Sequence, residues 1–290
     1  MDPGQIRSRW FLTFALMACL AFLSSFPASA QSKKKDDWYG QWRYEFDLGA
    51  FAADVETTIR LDSTNTPGTE FSLENDLGLR DNDTSALFRF AYRFGRHSSI
   101  SFTEFNLKRN GTSEARIDIT LPHPDNPDET IDIGVDVVVN SKFNADMLVL
   151  AYSYSFINNP RAEFALRFGV HVTDFGLGLQ TPEQPDIPTT AEDVTVPLPT
   201  FGIVGGYRFA DNWYVNADIG YFAIEIDNID GSITSGILGV MWQPFNNVGF
   251  SLNYQAFKVD LEVESTEFGG VRSSLLWKYK GPAIYIVVRF

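Results

Sequence analysis

The chain has 290 residues, 44% of them hydrophobic and 14% aromatic, enough to bury a sizeable interior. Its 37 acidic residues outnumber 23 basic ones, giving a net charge of −14 that argues against nucleic acid as a partner. The single cysteine, Cys19, excludes a disulfide framework and a cysteine-built metal site.

Residues 1–30 read as a signal peptide. Arg7 and Arg9 precede an apolar run from Trp10 to Leu23, and Ala28-Ser29-Ala30 forms a small-residue cleavage site. Cleavage there would also remove Cys19. Residues 31–37, QSKKKDD, read as a polar tail, and 38–290 as one β domain. No later segment reaches the roughly 18 consecutive apolar residues of a membrane helix, so any membrane crossing would fall to strands.

The first strand opens at Trp38 and Tyr39 and runs through Trp42, Tyr44, Phe46 and Leu48 toward Leu61. Asp62 to Gly68 is turn-rich. The stretch that follows, Glu70 to Thr84, contains Leu-Glu-Asn-Asp-Leu-Gly-Leu; its Asp76, Asp81 and Asp83 could form a cation site or cap a turn. In Ala86–Phe94, Phe88, Phe90, Tyr92 and Phe94 alternate with Leu87, Arg89, Ala91 and Arg93. Ile100 and Phe102 resume the apolar face, but Phe105 and Leu107 fall out of phase, which predicts a β-bulge near Thr103-Glu104.

Residues 116–121 and 131–139 predict a projecting hairpin around a Pro-His-Pro turn, with the chain re-entering near Asn144. A strand then descends from Leu148 to Phe156. From Ala162 to Thr173 alternation is unbroken, with Glu163, Arg167 and His171 on the polar face. Gln180 to Pro199 reads as a long proline-rich acidic loop. Strands follow at 201–209, 213–226, 233–245 and 250–263, with a phase slip near Ala256-Phe257. The last runs from Val271 to Phe290 and resets its phase at Gly281-Pro282.

Five strands end on an aromatic beside a short turn or at the terminus: Phe94, Phe156, Phe209, Phe245 and Phe290. The polar faces are rich in Gly, Ala, Ser and Asn with scattered Arg, whereas a solvated outer face carries many Lys and Glu. The apolar faces therefore point outward to lipid. The expected fold is all-β: a transmembrane up-and-down antiparallel barrel of about ten strands, with eight and twelve as the alternatives.

An alternating strand that ends on Phe290 resembles the C-terminal signal of Gram-negative outer-membrane β-barrels, although Tyr285 stands where that signal often has glycine. The Leu73–Leu79 segment is similar to one in uncharacterised proteobacterial outer-membrane proteins. The resemblance implies an outer-membrane location, a periplasmic tail, and contact with outer-membrane lipid, lipopolysaccharide and the barrel assembly machinery, as a monomer. Omptin proteases resemble the chain in size, and Asp81 and Asp83 imitate their acidic pair. The required Asp-x-His is missing at His97, His123 and His171.

No catalytic motif and no cofactor site is expected. Arg89, Arg93, Arg167, Arg208 and Arg289, with His171, Glu163 and Asp218, are expected to line the lumen. They form either an anion filter or a charged network that closes a barrel of this size, with Glu104 among the inward carboxylates. His171 is expected to be a hydrogen-bonded interior residue. The chain would then be a closed structural or surface-interaction barrel working through acidic outer loops, with a narrow channel for small solutes as the alternative and an outer-membrane hydrolase as the third reading.

Overall fold

The computed structural model describes residues 42–62, 65–123, 126–182, 189–190, 194–226, 229–265 and 271–290. The expected signal peptide, the polar tail and the opening aromatics Trp38 and Tyr39 lie outside them. The strands are β1 (Tyr44–Leu61), β2 (Phe71–Ser72), β3 (Asn82–Arg93), β4 (Ser98–Glu114), β5 (Ile119–His123), β6 (Asn126–Ile133) and β7 (Val138–Asn158). They continue with β8 (Ala162–Gln180), β9 (Thr189–Thr190), β10 (Val194–Ala210), β11 (Trp213–Ile226), β12 (Ile229–Trp242), β13 (Val248–Ser265) and β14 (Val271–Arg289).

Ten of them, β1, β3, β4, β7, β8, β10, β11, β12, β13 and β14, form a closed antiparallel ring in that order. The seam pairs β1 with β14, from Glu45 opposite Arg289 to Leu61 opposite Ser273. At its end the Tyr44 amide donates to the Phe290 carbonyl at 3.0 Å and the Phe290 amide to the Tyr44 carbonyl at 2.9 Å. Closure removes the open edges that hydrocarbon could not satisfy. The fold is the expected transmembrane β-barrel with ten strands.

Outward residues of the half nearest the short turns are large and apolar. On β8, Phe164, Leu166, Phe168 and Val170 face out, while Ala165, His171 and Thr173 are buried inside. The belt takes about nine residues of each strand; at about 3.3 Å per residue and about 40° of tilt that spans roughly 23 Å. The rim aromatics Phe94, Phe156, Phe209, Phe245 and Phe290 are all exposed at its edge.

Above this belt the two faces exchange character. On β1 the outward residues change from Phe46 and Leu48 to Asp54 and Glu56, and the inward ones from Glu45 and Asp47 to Phe51, Val55 and Ile59. On β8 the change falls between Thr173, inside, and Asp174, outside. A strand leaving the bilayer meets water outside, so its apolar residues turn to the interior instead.

This exchange corrects three expectations. No bulge interrupts Thr103-Glu104: β4 pairs with β7 in one register from Ser98 to Glu114. Phe105 and Leu107 point inward because they lie above the belt, and Glu104 points outward rather than into the lumen. At Ala256-Phe257 and at Gly281-Pro282 the registers with β12 and β13 are likewise continuous, and the pairing of β14 with β1 skips Gly281 and Pro282 without a change of register. There Phe257 and Trp277 turn inward on an unchanged alternation.

Other boundaries differ as well. Trp42 precedes β1, and its ring is turned inward rather than standing in the outward row with Phe46. Residues 194–199 belong to β10, not to a loop; Pro197 and Pro199 pair with β8 where no ladder to β11 is formed, so their missing amides leave no gap there. Within the expected loop, residues 183–188 and 191–193 lie outside the described residues. The expected hairpin forms as β5 and β6, with Ile119, Leu121 and Ile133 buried in the core.

Candidate functional site

The lumen is built in three levels. At the base, inward positions of β1, β3, β8, β11 and β14 bring four carboxylates against four arginines. Arg89 bonds Glu45 and, at 2.8 Å, Asp47; Arg289 bonds Glu45 from the far side of the seam. Arg93 meets Glu163 at 2.6 Å, Ser155 donates to the same carboxylate, and Arg167 pairs with Asp218. Trp42 lies under this layer, 4.6 Å from the Arg93 guanidinium and 5.8 Å from that of Arg289. Arg208 faces inward beside them against Tyr214.

Above the ion pairs lies a chamber of about 270 Å³ lined by Arg89, Arg167, Asn216, Ser251, Asn253 and Gln255, with His171 on its wall. The His171 ring is 6% exposed and stacks on Phe257 at 5.6 Å. Neither of its nitrogens finds a hydrogen-bond partner among the described residues. The expected hydrogen-bonded histidine is therefore held by packing.

The third level is aromatic. Phe51, Phe105, Phe143, Phe175, Phe257, Trp277 and Tyr279 come from six strands and meet across the interior, with centroids 5.0–6.4 Å apart. Trp277 is fully buried.

This level is completed by a strap, residues 71–81, that carries the Leu-Glu-Asn-Asp-Leu-Gly-Leu segment. β3 and β4 separate above Leu87, where their pairing ends at Phe105. The strap fills the opening. Leu73, Leu77 and Leu79 are buried in the core, the Leu73 amide donates to the Thr57 carbonyl at 3.0 Å, and the Val55 amide donates to that of Asp81 at 2.7 Å. Gly78 adopts φ 61°, and a Cβ there would stand 2.5 Å from Ser113 Oγ, so the turn demands glycine.

Glu74 fastens the strap from within. It pairs with Arg109, accepts the Thr57 amide at 2.7 Å, and leaves Arg109 to donate to Thr57 Oγ1 at 2.6 Å and to the Arg80 carbonyl at 3.1 Å. The Arg109 guanidinium also lies 5.2 Å from the Phe143 ring.

The sequence reading brought Arg89, Arg93, Glu163, Arg167, Asp218 and Arg289 to the lumen, and the structure joins them there. It missed Glu45, Asp47, Trp42 and the Glu74–Arg109 pair. The inward parity of Glu45 and Asp47 beside outward Phe46 and Leu48 was the available signal. Four of the five arginines at the base are paired with these carboxylates.

Asp76 accepts the Ser72 amide at 2.7 Å, Asp83 the Thr84 amide at 2.8 Å, and Asp81 an Asn82 side-chain bond at 2.6 Å; each carboxylate accepts from a near neighbour in sequence. No group of three or more metal-ligating side chains occurs among the described residues. His97 sits at the short-turn rim, its Nδ1 2.6 Å from the Ser155 carbonyl oxygen, and is stacked on Tyr154.

No family model and no curated protein matches the sequence. Among solved structures the chain is similar to the outer membrane protease OmpT from Escherichia coli, with a TM-score of 0.55, 10% identity, and coverage of 91% of this chain and 100% of that one. The translocator domain of the autotransporter NalP from Neisseria meningitidis gives a TM-score of 0.37 at 7% identity, covering 99% and 98% of the two chains. The P. putida toluene transporter TodX gives 0.33 at 8%, covering 86% and 90%. At 10% identity the likeness to OmpT is one of barrel fold, with no bearing on chemistry.

Proposed function

We propose that this chain is an integral outer-membrane β-barrel of a Gram-negative envelope, exported by its signal peptide and folded through its C-terminal strand, with a closed lumen. Its role is structural or interactive, exercised by the charged region beyond the lipid belt. The observation that carries this reading is the aromatic level: seven rings from six strands meet where a solute would have to pass. The pairing of Arg89, Arg93, Arg167 and Arg289 with carboxylates at the base works in the same direction.

A hydrolase is the weaker reading. His97 lies at the rim opposite the long loops, and His171 sits between an ion-pair layer and packed rings, out of reach of a bulky substrate. Recordings of the purified protein in planar bilayers test closure. Wild type is expected to be silent, and an Arg93/Arg208/Arg289 triple alanine variant should stay silent because the aromatic level lies above these positions. Discrete steps in wild type that change in the triple variant would establish the channel instead.

A further inference from the structure

The outer wall above the lipid belt is not uniform. Across β13, β14 and β1 the exposed cations are matched by carboxylates: Lys258 with Asp260, Lys278 with Glu56, Lys280 with Asp54, and Arg272 with Glu262 and Glu264. Across β4, β7 and β8, above the Lys108–Asp146 pair, lies a groove of about 750 Å³ whose described lining contains no carboxylate, in a chain of net charge −14. Its two cations, Arg80 and Lys142, have no ion pair among the described residues.

The groove follows from the strand registers. Asn110, Lys142 and Gly178 form one outward row, and Thr112, Asn140 and Gln180 the next. Gly178 has no side chain to fill its row. At the groove's end the strap turns at Gly78, buries Leu79 against Gly111, where a Cβ would come within 3.3 Å of it, and turns Arg80 out to solvent. Thr112 Oγ1 donates to Asn140 Oδ1 at 2.7 Å, which orients that amide and leaves its NH₂ free to donate.

The geometry points to a binding site for an anionic saccharide, namely the phosphate- and carboxylate-bearing core sugars of lipopolysaccharide in the surrounding leaflet. Amides and a hydroxyl present paired donors and acceptors to sugar hydroxyls, while Arg80 and Lys142 neutralise acidic substituents. Height selects the source. Lys142 lies six residues beyond Leu148, an outward residue of the lipid belt on β7, or about 15 Å above it at about 3.3 Å per residue and about 40° of tilt. That places the groove above the acyl chains, beside the sugars linked to them.

This inference rests on the proposed outward-facing role and names its partner. Bilayer recordings test closure and sugar binding tests the groove, so the two fail separately. The probe is the delipidated core oligosaccharide of a rough-type lipopolysaccharide, titrated by calorimetry into detergent-purified protein, beside the same oligosaccharide after phosphatase treatment. Wild type should bind the phosphorylated core, at least tenfold more weakly after dephosphorylation. R80A/K142A should lose at least tenfold in affinity while keeping the wild-type heat-dependent mobility shift in gels, since both side chains are exposed. No binding by wild type, equal binding of the two oligosaccharides, or an unchanged affinity in a folded R80A/K142A would each overturn the site. Unchanged binding in K258A/K278A, on the ion-paired wall, is expected; a loss equal to that of R80A/K142A would show diffuse electrostatics and overturn it as well.

Discussion

Substitution of Arg109 tests whether the strap is an integral part of the barrel interior. The side chains of Arg109 and Glu74 are 2% and 8% exposed, and they lie beneath the strap with Thr57 as their shared neighbour. Arg109→Ala leaves the Glu74 carboxylate buried with only the Thr57 amide and the Ser72 hydroxyl, and it removes the guanidinium from the Phe143 face. Breaking a buried pair in this way costs about 3–5 kcal/mol, whereas replacing both partners with apolar residues of similar volume is near neutral. Urea unfolding in detergent, followed by tryptophan fluorescence, should therefore show R109A destabilised by about 3–5 kcal/mol and E74L/R109M within about 1–2 kcal/mol of wild type. In planar bilayers R109A should show intermittent openings as the strap detaches, absent from the double variant. A stable, silent R109A would refute the reasoning, because the pair would then contribute neither to the fold nor to closure.

Two further outcomes follow from packing and sidedness. A Cβ at Gly281 would stand 2.0 Å from the Ala52 carbonyl oxygen across the β1–β14 seam, whereas one at Gly236 meets nothing within 4 Å; Gly281→Ala should sharply reduce the folded fraction in gel-mobility assays, and Gly236→Ala should leave it unchanged. Phe168 and Asp174 share the outward face of β8 on opposite sides of the proposed lipid boundary, so Phe168→Arg should cost about 2–4 kcal/mol in vesicles and Asp174→Arg less than about 1 kcal/mol, with equal costs contradicting a boundary at that level.

The fold was legible because alternation, short turns and rim aromatics are local signals. Phe88, Phe90, Tyr92 and Phe94 sit on one face whatever the rest of the chain does. The partners inside the barrel were not legible in the same way. Glu45 and Arg289 are 244 residues apart and meet only because the ring closes, and Glu74 reaches Arg109 only because the strap folds inward. The three apparent phase slips have a different cause. Alternation reports which residues share a face, but not what that face touches. When the outside changes from hydrocarbon to water while the inside remains packed, apolar residues must move to the opposite parity without any change in register. Phe105, Phe257 and Trp277 mark that crossing on three strands, so a sequence pattern that looks like a defect in the sheet is better read as the height at which the barrel leaves the bilayer.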